Sequence, residues 1–518
     1  MIKIAMLLLL LLPSLASAQV IAWGSRVRVD DAPGDTIHPA SHPYTIIDDS
    51  LRIFSAWEDD RDNDGKHAIC FARSNDRGGT FSTNIAVAPD TVDNVYPWLV
   101  KGSKNSVYVV WQALDAGNNW KIYFSRSGNG GNTFDAPDTV QGINIYNPYD
   151  GSFDGPTPKV AVDPRDSILY LVWTNYESGI GRYRVKCARS LTRNNVFIGE
   201  TFVSSPDSQA LHPAVDVGDN GKVFVAYVSF DGNNQDKCEI VSTHSADYGL
   251  TFDSTRLLVN DDPGSNRKRD FPNLYRTGNK VAVIWQDTRL QSNTQPNLFF
   301  SQKSDSQTAF SANIKADNGG GTNNYSPRIA VDRTNNNLVI AWHSNARADG
   351  GFELRMCAYN DTVGQFRPSY TVPNTYTGTS TAGFGKDYYP PALAIANINS
   401  VTNFFLVWQD LGEDASGNIY CIRGTVTNNI PHANLDELKV YPNPFKKWLG
   451  YGNVTFENLT ATATIKIFDI KGRLVTTIEE TNGDGEAIWN PNVASGIYLY
   501  LATNSQGQKK TGKIAILK

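Results

Sequence analysis

Ser74-Asn75-Asp76-Arg77-Gly78-Gly79-Thr80-Phe81 returns twice in this chain, as Ser127-Gly128-Asn129-Gly130-Gly131-Asn132-Thr133-Phe134 and as Ser245-Ala246-Asp247-Tyr248-Gly249-Leu250-Thr251-Phe252. The constant positions are Ser, then Asp or Asn, then Gly, Thr and Phe at offsets 0, 2, 4, 6 and 7. Short oxygen-bearing side chains at the first two positions can bond the backbone of their own turn, and Gly supplies a positive φ at no steric cost. The closing aromatic is large enough to fill a gap between neighbouring layers. Each copy therefore reads as a tight turn that staples two strands, and degenerate copies stand at 190–197, 304–310 and 360–366.

Outward from these turns the period is about 55 to 60 residues. Upstream of each turn comes a proline, an apolar strand, a short turn and a second apolar strand ending on an aromatic. The seven copies span 43–57, 97–111, 158–173, 213–227, 272–285, 327–342 and 391–408. A polar loop and a third strand follow, such as Ile69-Cys70-Phe71-Ala72-Arg73-Ser74 and Ile122-Tyr123-Phe124-Ser125-Arg126-Ser127. Four short strands per repeat and seven repeats predict an all-β, seven-bladed β-propeller. The chain ends favour a ring over an open solenoid. The last repeat stops after Ile419-Tyr420-Cys421-Ile422, while Ser25-Arg26-Val27-Arg28-Val29 reads as a spare fourth strand. The N-terminal strand is expected to complete the final blade beside Tyr420, leaving no open edge.

The repeated turn resembles the Asp box of sialidase-like (BNR) propellers, with Asn129 in place of Asp in the second copy. That resemblance implies that the turns lie on the face opposite any active site. It also sets a test for sialidase chemistry. Those enzymes clamp a carboxylate with three arginines, one in an Arg-Ile-Pro motif, and use a Glu-activated Tyr as nucleophile with an Asp as acid/base. No Arg-Ile-Pro occurs here. The catalytic candidates are Arg61, Arg289, Arg347, Tyr176, Glu177 and Asp287, but Trp-x-Asp-x-Arg also recurs as a blade feature in which Asp and Arg pair locally. Tyr176 and Glu177 are adjacent, so their side chains diverge.

The residues preceding the prolines and the loops following the aromatics share one propeller face around the axis. The expected binding funnel therefore contains His42, Tyr96, His212 and Phe271, with Thr157 and Ser326 beside them and Asp59, His343 and Asp410 from the loops. Most polar residues in such loops satisfy backbone. Asp60, Asp62 and Asp64 followed by Gly65 give the first half of a calcium loop, but Phe71 occupies the register of the distal bidentate Glu. A solvated acidic loop is the plainer reading, and no cofactor is required.

Residues 1–18 read as a secretory signal: Lys3, the apolar run 7–12 and the small residues Ala16-Ser17-Ala18. No stretch reaches the roughly 20 apolar residues of a membrane-spanning helix. A formal net charge of −5, with no basic stripe, argues against nucleic acid. The number of cysteines, 5, is odd. Cys187, Cys357 and Cys421 fall at equivalent positions, and successive sheets stand roughly 10 Å apart, beyond the roughly 7 Å Cα limit of a disulfide. They read as buried free thiols, whereas a bridge involving Cys70 or Cys238 stays open.

The repeat region covers 19–430, residues 431–437 read as a linker, and 438–518 form a separate β-domain, expected to be a sandwich. That last stretch resembles the C-terminal sorting domain of the type IX secretion system. The resemblance rests on Tyr441-Pro442-Asn443-Pro444-Phe445, Val454-Thr455-Phe456, Ile465 to Val475, Trp489, Ser495-Gly496-Ile497-Tyr498 and the terminal Gly512 to Lys518. It implies recognition by outer-membrane secretion machinery and a secreted or cell-surface protein. The functional expectation is a propeller that binds extracellular glycan or protein without catalysis. A sialidase-type glycoside hydrolase and a structural surface or adhesion component are the alternatives.

Overall fold

A computed structural model of the chain describes residues 21–518 except 33–39, 104, 149–154, 164, 166–167, 219–220, 233, 235, 291–294, 318–322, 333–336, 348, 350, 361–364, 367–368, 378–389, 399–400, 413–416, 428–433, 448–452, 461 and 481–484. The secretory-signal reading of 1–18 lies outside the described residues. The rest divides into two compact units, 22–425, and 426–518 together with Ile21. Both are built from β-strands, with no α-helix among the described residues.

In the larger unit the described strands form seven sheets, six of them antiparallel meanders of strands consecutive in sequence and the seventh, Ala392–Ile398, Val401–Asp410 and Asn418–Thr427, completed from the chain's N-terminal side by Val27–Arg28 among others. The first sheet runs Ala40–Ile47, Ile53–Asp59, Ala68–Ser74, Ile85–Ala88, and the next runs Asn94–Lys101, Val107–Leu114, Trp120–Ser127, Asp138–Thr139. The innermost strands lie side by side in a circle. Ala40–Ile47 neighbours Asn94–Lys101, followed by Lys159–Val162, Gln209–Val217, Arg269–Thr277, Asn324–Asp332 and Ala392–Ile398, and this last strand lies against Ala40–Ile47 again.

The second strands are buried along nearly their whole length because sheets cover them on both faces. Their aromatics, Trp57, Trp111, Trp173, Trp285, Trp342 and Trp408, are fully buried, with Tyr227 in the remaining place. A buried indole N–H needs an acceptor. Asp59, Asn175, Asp287 and Asp410, each two residues after its Trp, provide it at 2.8–3.2 Å. Asn94 and Asn324 of the first strands serve Trp111 and Trp342.

The circle closes as the two ends of the repeat region require. Val27 pairs with Cys421 and Arg28 with Tyr420, and the Val29 amide donates to the Ile419 carbonyl at 2.8 Å. A staple reinforces this junction. Arg61 binds Asp59 and reaches Asp31 and Asn84, while Asp31 and Asn84 bond each other's backbone amides. Arg289, Asp287, Asp261 and Asn313 repeat the arrangement group for group at an interior junction. The closing seam is thus built like a covalently continuous one.

All three complete turns take the form their sequence predicts. The Ser74, Ser127 and Ser245 hydroxyls accept the amides of Gly78, Gly131 and Gly249 at 2.8–2.9 Å, and those glycines have φ of 83°, 74° and 77°. Asp76, Asn129 and Asp247 accept the amides of Thr80, Thr133 and Thr251. Phe134 meets Phe71 of the preceding sheet edge-on at 4.8 Å. Phe81 packs into the seam core with Ile53, Phe405 and Cys421, and Phe252 packs against the core containing Tyr170 and Cys187. All five cysteines are buried and none is in a disulfide, so neither Cys70 nor Cys238 is bridged.

The smaller unit has a three-stranded and a five-stranded sheet around one core that includes Phe456, Ile465, Trp489, Tyr498, Tyr500 and Ile514. Leu435 is fully buried in that core, and its amide donates to Gln508 at 2.8 Å. Residues 434–437, read as linker, therefore belong to this unit: one apolar side chain was enough to draw the segment in.

Candidate functional site

The most informative backbone feature of the larger unit is strain at one repeated position. His42, Tyr96, Thr157, His212, Phe271 and Ser326, each preceding a proline, have φ between 42° and 59°. Side chains other than Gly rarely occupy this region, and a following proline restricts the residue further. Five of the six sit at a register shift in the innermost strand, where an extra residue bulges from the ladder. A bulge re-aims a side chain, and here it turns these residues toward the axis of the circle. The seventh equivalent position is Pro390, whose ring cannot adopt positive φ.

Side chains of the preceding sheet hold several of the bulges. Glu58 accepts the Tyr96 amide at 2.5 Å, Gln112 accepts the Thr157 amide at 2.7 Å, and Gln286 accepts the Ser326 amide. All three acceptors are buried, so the strain is fixed by satisfied hydrogen bonds in a dry interior. Each follows the aromatic of its second strand directly. Glu or Gln after Trp was a signal available in the sequence, and it was missed.

His42, Tyr96, Thr157, His212, Phe271, Ser326 and Pro390 together line one chamber, with Trp98, Lys159 and Arg328 deeper in it. His42 meets Tyr96 edge-on at 4.5 Å, and His212 stacks on Phe271 at 5.1 Å. Nδ1 of His42 lies 2.8 Å from Glu58 Oε2, and Nδ1 of His212 lies 2.5 Å from Asp270 Oδ1. Trp98 lines both this chamber and the cavity next to it. It packs on Tyr44 at 4.0 Å and binds the Val160 carbonyl through Nε1, with Lys159 at 4.3 Å and Arg328 at 5.8 Å from its ring. A second cavity of about 530 Å³, lined by Tyr44, Asp216 and Tyr275 among others, shares Trp98, Ala214, Asn273 and Arg328 with the chamber.

Of the expected funnel residues, His42, Tyr96, His212 and Phe271 converge; Asp59, His343 and Asp410 do not. Asp59 and Asp410 are buried acceptors for Trp57 and Trp408, and Asp410 also takes the Tyr376 and Gly412 amides. His343 is buried, with Nδ1 2.9 Å from the Thr377 hydroxyl. The need of a buried indole for an acceptor pulls Asp59 and Asp410 out of the funnel.

The catalytic candidates are also spoken for. Arg61 and Arg289 fork onto Asp59 and Asp287 at 2.7–3.0 Å. The Asp59 hydrogen bonds hold Arg61 firmly charged; burial works against the Arg289 charge, but Asp287, Asp261 and Asp262 together outweigh it. Arg347 pairs with Asp349, whose carboxyl it holds at about 2. Glu177 binds Lys186 at 2.7 Å, and Tyr176 packs beside Tyr183 at 5.0 Å. The three arginines therefore form three local pairs, not one clamp. Ligand atoms of Asp60, Asp62 and Asp64 lie within 4.8 Å of one another, with Asp60 buried. Asp60 spends both oxygens on the Asp64 and Gly65 amides, so it shapes the loop.

Among solved structures the chain resembles a Dyadobacter fermentans protein of unknown function, at 13% identity over 80% of this chain and 100% of that one, TM-score 0.47. It also resembles a Penicillium chrysogenum α-L-arabinanase solved with arabinobiose (13%, 78% and 98%, 0.46) and the phage phi92 endosialidase (11%, 95% and 87%, 0.43). At these levels no activity transfers to this chain. No curated protein matches the sequence. Residues 439–517 match the family described as the secretion system C-terminal sorting domain, and no described helix is long and apolar enough to cross a membrane. The chain carries a type IX export address in its smaller unit, and the protein is delivered to the cell surface or secreted.

Proposed function

We propose that the exported protein is a seven-bladed β-propeller joined to a C-terminal β-sandwich, and that the propeller binds an extracellular glycan or protein through its axial chamber without transforming it. The circle of innermost strands and the seam at Val27 and Cys421 support the propeller reading. The observation that carries the binding role is the set of six positive-φ residues aimed into one chamber. Six strained residues are a standing cost, of order 1 kcal/mol each, and strain of this kind clusters at ligand sites. Against hydrolysis of the sialidase kind stands the pairing of Arg61, Arg289 and Arg347 with separate aspartates.

The test is a glycan-array and surface-protein binding screen with the mature chain, run beside a fluorogenic sialoside assay. Binding that Thr157→Trp abolishes, with no sialoside turnover, is the expected result. Turnover above buffer would replace this reading with the hydrolase alternative. Intact binding in the Thr157→Trp variant would move the site elsewhere.

A further inference from the structure

In an antiparallel sheet with one face on a core and the other in water, strands alternate apolar and polar residues. Gly496–Thr503, the middle strand of the five-stranded sheet in the smaller unit, does not. Tyr498, Tyr500 and Ala502 point into the core. The residues between and before them, Ile497, Leu499 and Leu501, are also aliphatic, and the pleat turns them the other way. Ile497 is 46% exposed and Leu499 38%. A strand apolar on both sides is the pattern of one covered on both sides, yet within this unit only one side is covered.

The strand register extends the apolar surface over the neighbouring strands. Leu474, Phe468 and Leu499 stand opposite one another on three successive strands, and Leu474 is 55% exposed. On the other side Ala515 stands opposite Ile497, and Leu517, 37% exposed, follows two residues on. Contiguous exposed apolar surface of this kind marks an interaction site. The three-stranded sheet has no equivalent row: its exposed Tyr441 and Ile488 are separated by Thr455.

Charge narrows the partner. Lys513 stands opposite Leu499, Lys466 opposite Leu501, Lys446 opposite Leu517 and Lys509 opposite Thr503. Glu479, opposite Thr464 at one corner, is the only acidic residue in the five strands. The face is therefore an aliphatic centre with a basic border, in a chain whose formal net charge is −5. A second copy packed face to face would set these lysines against themselves, a like-charge opposition that interfaces avoid. A partner with the complementary pattern has carboxylates around an apolar patch. The export address that this unit carries is read by a protein, and this face is the unit's largest row of uncovered apolar side chains.

We propose that the outward face of the five-stranded sheet, centred on Leu499, docks the smaller unit on a protein of the outer-membrane secretion machinery, at an apolar patch bordered by carboxylates. This role holds whatever the chamber of the larger unit binds.

The full-length chain tests it in a bacterium that has a type IX system, read as the amount of larger unit at the surface and in the medium against that left in the periplasm. Leu499→Glu is expected to cut the exported share about tenfold, as loss of a central interface anchor does. The pair Lys466→Glu, Lys513→Glu, at exposed positions, is expected to act in the same direction. Ile488→Gln, on the three-stranded sheet, is expected to leave export unchanged. Thermal melts of the purified variants are expected to match the parent, which separates docking from folding. Should Leu499→Glu unfold the unit, the lysine pair decides alone. Full export of either folded variant would overturn the inference, as would an equal loss in Ile488→Gln. A parent dimer in sedimentation that Leu499→Glu splits would put a second copy on the face instead. Parent binding to phosphatidylglycerol vesicles that the lysine pair abolishes would put a lipid surface there. Either result would overturn the choice of a protein partner.

Discussion

Two regions of the larger unit use positive φ repeatedly, and they use it in opposite ways. In the serine-to-phenylalanine turns the backbone in and beside the left-handed residues is held by side chains four positions away, such as Ser74 on Gly78 and Asp76 on Thr80. At three of the bulges before the prolines, those of Tyr96, Thr157 and Ser326, the clasp comes from another sheet, as when Gln112 takes the Thr157 amide across 45 residues. A local clasp makes a turn that folds on its own terms and fixes every side chain in it. A remote clasp fixes only the backbone, and the side chain it carries is Tyr at one bulge, Thr at another and Ser at the third. The turns are scaffold, and the bulges are where this architecture can vary the side chains that line its chamber.

The harshest break in that comparison is Glu58→Ala. It removes one buried carboxylate and strands three donors, on Ser41, His42 and Tyr96. Breaking a buried charged network of this kind costs about 3 kcal/mol. Urea unfolding is expected to show that loss, and ligand binding is expected to fall with it because two chamber side chains lose their aim. Normal binding at reduced stability would mean that the bulges are as purely structural as the turns.

A turn residue should give the converse. Gly131 has φ of 74°, and a Cβ on it would sit 2.5 Å from the Phe71 ring. Gly131→Ala thus combines backbone strain with overpacking, worth about 2 kcal/mol together. Stability is expected to drop while chamber binding is unchanged in conditions where the variant stays folded. A binding defect in the folded variant would erase the division between the two regions.

These same distances explain what the sequence disclosed. The turns were legible to the hydrogen bond, since donor and acceptor lie within eight letters. Ring closure was legible too, because a missing strand at Ile422 and a spare one at Val27 are complementary facts about one chain. The lining positions His42, Tyr96, His212 and Phe271 followed from their place before the prolines. What went unread was non-local. Asp59 and Asp410 looked like open loop acids, but the buried indoles of Trp57 and Trp408 needed acceptors more than a funnel needed charge. Lys159 and Arg328 gave no sign that they meet over Trp98, because only the closed circle brings their strands together. Leu435 was one apolar letter in a polar stretch, too little to extend a domain boundary by pattern alone.

The gentlest probe uses a control the chain already contains. Asn129 fills the acidic position of the second turn and keeps its contacts with Ser127 and Thr133. At the third turn, burial pushes Asp247 up, but hydrogen bonds from the Thr251 hydroxyl and amide and from Ser245 draw it down to about 2; the same contacts lower Asp76. A carboxyl depressed in the folded state lends stability that is complete above its unfolded value, about 3.9, and is lost as the pH falls through the folded value. The double variant Asp76→Asn, Asp247→Asn should therefore be nearly as stable as the parent at pH 7, within about 1 kcal/mol, since both groups are largely exposed to solvent screening. Between about pH 4 and 2 the parent is expected to lose stability more steeply than the variant, which has two fewer sites to protonate. Thermal melts across that window check it. Parallel curves would mean that the amide and the carboxylate are equivalent in these turns at every pH, and that the ionised form adds nothing to what the hydrogen-bond geometry already supplies.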